Sequence, residues 1–244
     1  MRRSFLSLAL VSAVFVNVST LKSQDSSYDP TNFSTGVFHE GNTPCKQAGD
    51  GGDPYLNELK NRDIPPGSYD SITLTDVFDN FPQDLPAGPG KKNYRESSTT
   101  VWTDAQRSQV TDFEKKGARI EGFFLEIDSE GPEHCNCEST PFHDFHLWLS
   151  PTPLPHNHPH IIDRSNAMVV EISPRLLKGH SRWNPDSIGV LIKNSTRVRV
   201  SGWLTWDEEH PANLHPPHHT RHTLWEVHPI HNIEVQVVGK WVDF

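Results

Sequence analysis

Apolar length is what this chain has least of. Hydrophobic residues fill 34% of its 244 positions, which points to one core of modest size. Beyond residue 18 no apolar run approaches the roughly 20 residues a membrane-spanning helix needs. Basic charge is also scarce: 22 Lys and Arg stand against 31 Asp and Glu, a net charge of −9. That deficit argues against tight, sequence-independent binding to a nucleic-acid backbone, which depends on surplus cations. The usual catalytic signatures are missing as well. There is no G-x-S-x-G, no H-E-x-x-H, no G-x-G-x-x-G and no phosphate-cradling glycine loop. In their place are 20 prolines, 15 glycines and 15 histidines. The first two predict many turns and few long helices. The histidines make the net charge sensitive to pH between 5 and 8.

Arg2 and Arg3 precede a short apolar stretch, Phe5 to Val18. This predicts a secretory signal peptide over residues 1–23, cut between Ser19 and Gln24, and hence a secreted or periplasmic protein. Three cysteines follow: Cys45, Cys135 and Cys137. In an exported chain the expectation is a disulfide. Cys45 joined to Cys135 or to Cys137 would tie the N-terminal part to the rest. A bond between Cys135 and Cys137 would be strained, because the two Cα atoms must approach closely. The alternative is a metal-thiolate site that includes His134.

Residues 24–95 read as an irregular, Pro/Gly-rich extension with two short helices, Tyr55–Arg62 and Ser71–Phe81. Asp50-Gly-Gly-Asp53 reads as a tight turn. From residue 96 to 244 the pattern tightens into a β domain. A short strand and turn are expected within Val101–Phe113. Strands follow at Ala118–Asp128, Phe142–Leu149, Met168–Ile172, Val198–Trp206 and Thr223–Val237, with a short helix over Pro174–Lys178 after the third. Period-2 alternation predicts half-buried strands. The order of elements is that of a mainly β, five-stranded OB-like Greek-key barrel with one short helix after the third strand. An immunoglobulin-like sandwich is the alternative, although it wants about seven strands.

Three groups of side chains could carry chemistry. Asp144 and His146 share a strand face, as do Glu226 and His228, and Glu171 lies opposite Val170 and Ile172. Carboxylates beside imidazoles suit a general acid/base pair or a mixed N/O site for a divalent transition metal. Otherwise they form cross-strand polar pairs. His215, His218, His219 and His222, in H-P-P-H-H-T-R-H, form a tract with metal affinity or a solvated loop. Trp148, Trp203 and Trp206 with Arg199 could stack and hold bases or sugars.

The segments D-F-H-L-W-L, M-V-V-E-I, V-R-V-S-G-W-L and W-E-V-H-P-I, with G-D-P-Y-L-N-E-L-K-N-R upstream, resemble a group of exported bacterial proteins of unknown function. The resemblance implies no activity. It marks Asp144, His146, Glu171, Trp225, Glu226, His228 and Pro229 as positions of interest. The functional expectation is an exported binding module for an oligomeric ligand, nucleic acid or glycan, on the barrel face. A metal-dependent hydrolase built on the Asp/His/Glu group and a structural envelope protein are the alternatives.

Overall fold

The computed structural model describes residues 38–40, 43–83, 85, 102–155, 162–177, 179–210, 214 and 220–244. The expected signal peptide over 1–23 and His215, His218 and His219 lie outside these residues. Two short strands, β1 (Phe38–Glu40) and β2 (Thr43–Cys45), form a hairpin of their own. Then come α1 (Pro54–Lys60), β3 (Tyr69–Ile72), α2 (Leu74–Asn80), α3 (Asp104–Glu114), β4 (Gly117–Ser129), β5 (Phe145–Ser150), β6 (Met168–Ile172), α4 (Pro185–Lys193), β7 (Arg197–Trp206), β8 (Trp225–Val237) and β9 (Lys240–Asp243).

Five strands close into a mixed barrel in the order β4-β5-β6-β8-β7. Closure depends on the length of β4. Its first half, Gly117–Phe123, pairs with β7, and its second, Phe123–Ser129, pairs with β5. β6 and β8 run parallel, and the other barrel pairs are antiparallel. β3 adds in parallel to the start of β4, and β9 returns antiparallel onto β8. Among the described residues the other sheet is the two-stranded β1–β2 hairpin, too small to form the second layer of a sandwich.

The helices begin where local chemistry starts them. Asp53 accepts the backbone N–H of Tyr55 and Leu56 ahead of Pro54 in the first turn of α1. Thr103 and Gln106 form a reciprocal capping box at the start of α3. That box, with Val110 and Phe113 turned to the core, makes Asp104–Glu114 a helix rather than the expected strand and turn. The expected helix over Pro174–Lys178 is only a 3-10 turn, Pro174–Leu176. The longer helix after β6 is α4, capped by Asn184 with Pro185 at its start.

Leu147, Leu149, Met168, Val170, Ile172, Trp225 and Val227 turn inward to the main core. Alternation in β5 and β8 predicts half-buried strands. Instead Trp225 to Ile230 are buried on both faces, as is all of β6. The N-terminal segment covers them. Arg62 donates to Glu114 O, Leu204 O and Thr205 Oγ1, and buried Arg175 donates to Asn61 Oδ1 and Lys46 O. Cys45 and Cys137 stand at disulfide distance, with S–S 2.07 Å, which resolves the pairing and leaves Cys135 as a buried free thiol. Among the described residues no helix is long and apolar enough to cross a membrane.

β7 is irregular at Gly202, where its register against β8 shifts. A Cβ there would stand 2.3 Å from Pro229 O and 2.6 Å from Val227 Cγ1. Gly202→Ala should therefore cost about 1–3 kcal/mol by overpacking. Gly189→Ala, in α4 with nothing within 4 Å of the new methyl, should gain about 0.5–1 kcal/mol. Urea unfolding of both variants checks the contrast.

Candidate metal centre

Strand register assembles the site. β5 and β6 pair with His146 directly opposite Glu171. β6 and β8 pair in parallel with Val169 beside Glu226, so two residues further along Glu171 comes beside His228. These side chains leave the sheet on the face away from the main core. The loop after β4 folds over that face and brings Glu130, Glu133, Cys135 and Asp144. The loop after β7 brings Asp207, His210 and Arg221.

His146 Nδ1 lies 2.9 Å from Glu130 Oε1, and its Nε2 lies 2.8 Å from Glu171 Oε1. The other Glu171 oxygen, Oε2, is 2.7 Å from His228 Nδ1. His228 Nε2 is 3.5 Å from Asp144 Oδ2, and Cys135 Sγ is 3.6 Å from the same oxygen. An outer layer of charge backs this group. Arg221 is bonded to Glu226 and stands 3.9 Å from Asp207 Oδ2. Lys60 reaches that oxygen at 3.5 Å and His210 at 2.6 Å. Asp144, Glu171, Glu226 and His228 are fully buried. Glu130, with 35% of its side chain exposed, opens the group toward solvent.

Distance and direction disagree at the centre. His146 Nε2, both Glu171 oxygens and both His228 nitrogens are buried without a hydrogen-bond partner, although ring nitrogens and oxygens approach to 2.7–2.8 Å. The pairs are ionic contacts rather than well-aligned hydrogen bonds. Such contacts fit atoms that share a third partner. The described residues contain three groups that could hold a metal ion: Glu133 with His146 and Glu171, Glu133 with Cys135 and Asp144, and Asp144 with Glu171 and His228.

The electrostatics follow from burial against charge. Burial resists the His228 imidazolium, but the Glu171 carboxylate, with Glu226 and Asp144, lifts its pKa to about 10. His146 is raised well above its ordinary value in the same way, by Glu171 and Glu130 against burial. Glu171 is held low by the two imidazoles despite its burial. Glu133 is pushed up to about 9 by burial and by the charges of Asp144 and Glu171. Burial and Asp144 push the Cys135 thiol up.

The structure therefore brings together Asp144, His146, Glu171, Glu226 and His228. It does not bring the aromatic group together on an open face. Trp148 and Trp206 are buried, and Trp148 donates to Thr220 O. The Trp203 ring lies under the Arg62 guanidinium and its Nε1 donates to Ile64 O. Arg199 is held by both oxygens of Glu234. His222 stacks on Phe78 and contacts Ser165 O, away from the cluster. His134 turns to Asp50 O and Glu138, so the thiol beside the carboxylates is Cys135 without it. Glu130, Glu133, Lys60 and Asp207 escaped the sequence reading, and Arg221 was read as part of the histidine-rich tract. Four sit in loops, which have no period, and Lys60 reads as an ordinary solvated helix charge.

The raised histidines give a signed pH dependence. Protonation of His228 stabilises the fold fully below its unfolded value of about 6.5, and that contribution is lost as pH rises to about 10. Glu133, raised to about 9, acts in the same direction. Chelator-treated protein should thus melt at progressively lower temperature between pH 6.5 and 10 in a calorimeter, and His228→Gln should flatten that slope. Comparisons with protein-family models, with curated proteins and with solved structures found no match.

Proposed function

We propose that this protein is an exported metal-dependent hydrolase that holds a divalent transition metal on the outer face of β5, β6 and β8. One observation carries the reading: buried imidazole and carboxylate atoms crowd to 2.7–2.8 Å in ionic contacts that fall short of well-aligned hydrogen bonds. Two ligands at right angles on one ion, with bonds of about 2.1 Å, stand about 3 Å apart. Glu130 against His146 Nδ1 supplies the outer carboxylate that orients a metal-bound imidazole through its second nitrogen. A metal so held lowers the pKa of bound water toward neutrality and polarises a substrate oxygen.

The architecture supports the same reading. The barrel order, the parallel pair between its third and fifth strands and α4 between its third and fourth strands fit an OB-like Greek key. The cluster lies on the second and third strands, between the loops after the first and fourth, where such barrels take ligands. The Cys45–Cys137 pair fits an oxidising compartment. This agrees with the expected signal peptide and with the resemblance to exported bacterial proteins.

A second reading, binding of an anionic oligomer, has one feature in its favour. A cleft of about 490 Å³ between α2 and the start of β4 and β7 is lined by Arg119, Arg197 and Arg199 with Thr73 and Thr75. Glu121 pairs with Arg197 and Glu234 with Arg199, which leaves Arg119 as the cation without a carboxylate partner among the described lining residues.

Protein purified without a tag or nickel column should carry stoichiometric transition metal by mass spectrometry and should hydrolyse an activated phosphate or carboxylic ester. Glu130→Gln should weaken metal affinity by roughly 10–100-fold, and His146→Ala should abolish hydrolysis. Wild-type protein that stays metal-free in zinc-containing buffer would sink the reading. Under the second reading, Arg119→Gln should weaken retention on a polyanion column while metal content is unchanged.

A further inference from the structure

A single ion cannot explain the whole cluster. Any two ligands of one ion lie within about 4.2 Å of each other, twice a bond of about 2.1 Å. Glu133, His146 and Glu171 each offer an atom within 4.8 Å of the others, and so do Asp144, Glu171 and His228. Among the described residues no such group contains both imidazoles. Glu171 belongs to both groups, and it presents a different oxygen to each imidazole: Oε1 to His146 at 2.8 Å, Oε2 to His228 at 2.7 Å. A buried carboxylate that divides its oxygens between two ligand sets has the geometry of a bridge.

Glu130, Glu133, Asp144, Glu171, Asp207 and Glu226 form one network with Lys60 and Arg221. The independent sign of a missing partner is Asp144 Oδ1, buried and without a hydrogen-bond partner, beside His146 Nε2, Glu171 Oε1 and Oε2, and His228 Nδ1 and Nε2, which have only ionic contacts within the cluster.

We infer that the centre binds two divalent transition-metal ions bridged by Glu171, one held with Glu133 and His146 and the other with Asp144 and His228. The inference rests on the metal-site reading above and extends it from one ion to a pair. Ions bridged in this way lie about 3.5–4 Å apart, the spacing that clamps both the attacking and the leaving oxygen of an in-line displacement. Two imidazoles select a first-row transition metal over magnesium or calcium.

The test is cobalt(II) titration of the full-length, chelator-stripped protein, followed by visible absorption and by mass-spectrometric counting of bound metal. Two ions per chain are expected for the wild type. Asp144→Asn should keep one, because the Glu133–His146–Glu171 set is intact. Glu171→Gln should keep at most one, with its affinity lowered at least tenfold. One ion on the wild type overturns the pair and leaves the single-metal reading standing, whereas none overturns both. Two ions that persist in Glu171→Gln overturn the bridge. If that variant does not fold, the wild-type count and Asp144→Asn decide between one ion and two.

Discussion

The registration of three strands governs this protein. With His146 opposite Glu171 across β5 and β6, and β8 running parallel beside β6, acid and imidazole groups must leave the sheet side by side. A slip of one residue in either pairing would turn those groups into the apolar interior and Leu147, Val170 and Val227 out of it. The large cost of burying charges without partners makes the register hard to change. The same hydrophobic alternation that builds the core therefore also builds the polar cluster.

Burying that cluster requires a cover, and the N-terminal segment supplies one. It brings Lys60 to Asp207, anchors through Arg62 to α3 and β7, and is fastened by the Cys45–Cys137 pair and by Arg175. Without Lys60, Asp207 and Glu226 would be buried beside Glu171 with Arg221 and the imidazoles of His210 and His228 to offset them. Removing one partner of such a buried pair typically costs about 3–5 kcal/mol. The extension is thus part of the site rather than an appendage to the barrel. It raises the effective strength of every charge beneath it by excluding water.

Access and enclosure are balanced at Glu130. Deeper in, Asp144, Glu171 and His228 are sealed, while Glu130 holds the His146 ring from the solvent side. That makes His146 the end of the cluster nearer solvent and His228 the interior one. The buried tryptophans serve this arrangement as packing. Trp206 and Trp225 meet edge to face under the β7–β8 pair, and Trp148 closes the small outer cluster with Leu125, Ala167 and Val169.

What the sequence determined by itself was periodic. Apolar and β-branched runs located all five barrel strands. Alternation put Glu226 with His228 on a common face, because a strand's side-chain period is independent of its neighbours. It put Asp144 near His146, although Asp144 stands just ahead of β5. The start of the first helix near Asp53 was equally legible, whereas the Asn184 cap of α4 went unread and the Thr103–Gln106 box lay in the segment taken for a strand. Tertiary structure alone decided the rest. The burial of Lys60, the choice of Cys137 over Cys135 and the arrival of Glu130 and Glu133 depend on where loops and the N-terminal segment come to lie. Those contacts span up to 147 residues of chain and follow no local period. Whether a tryptophan such as Trp148 faces a ligand or a neighbouring strand depends on what covers it, and only the closed barrel and its cover settle that.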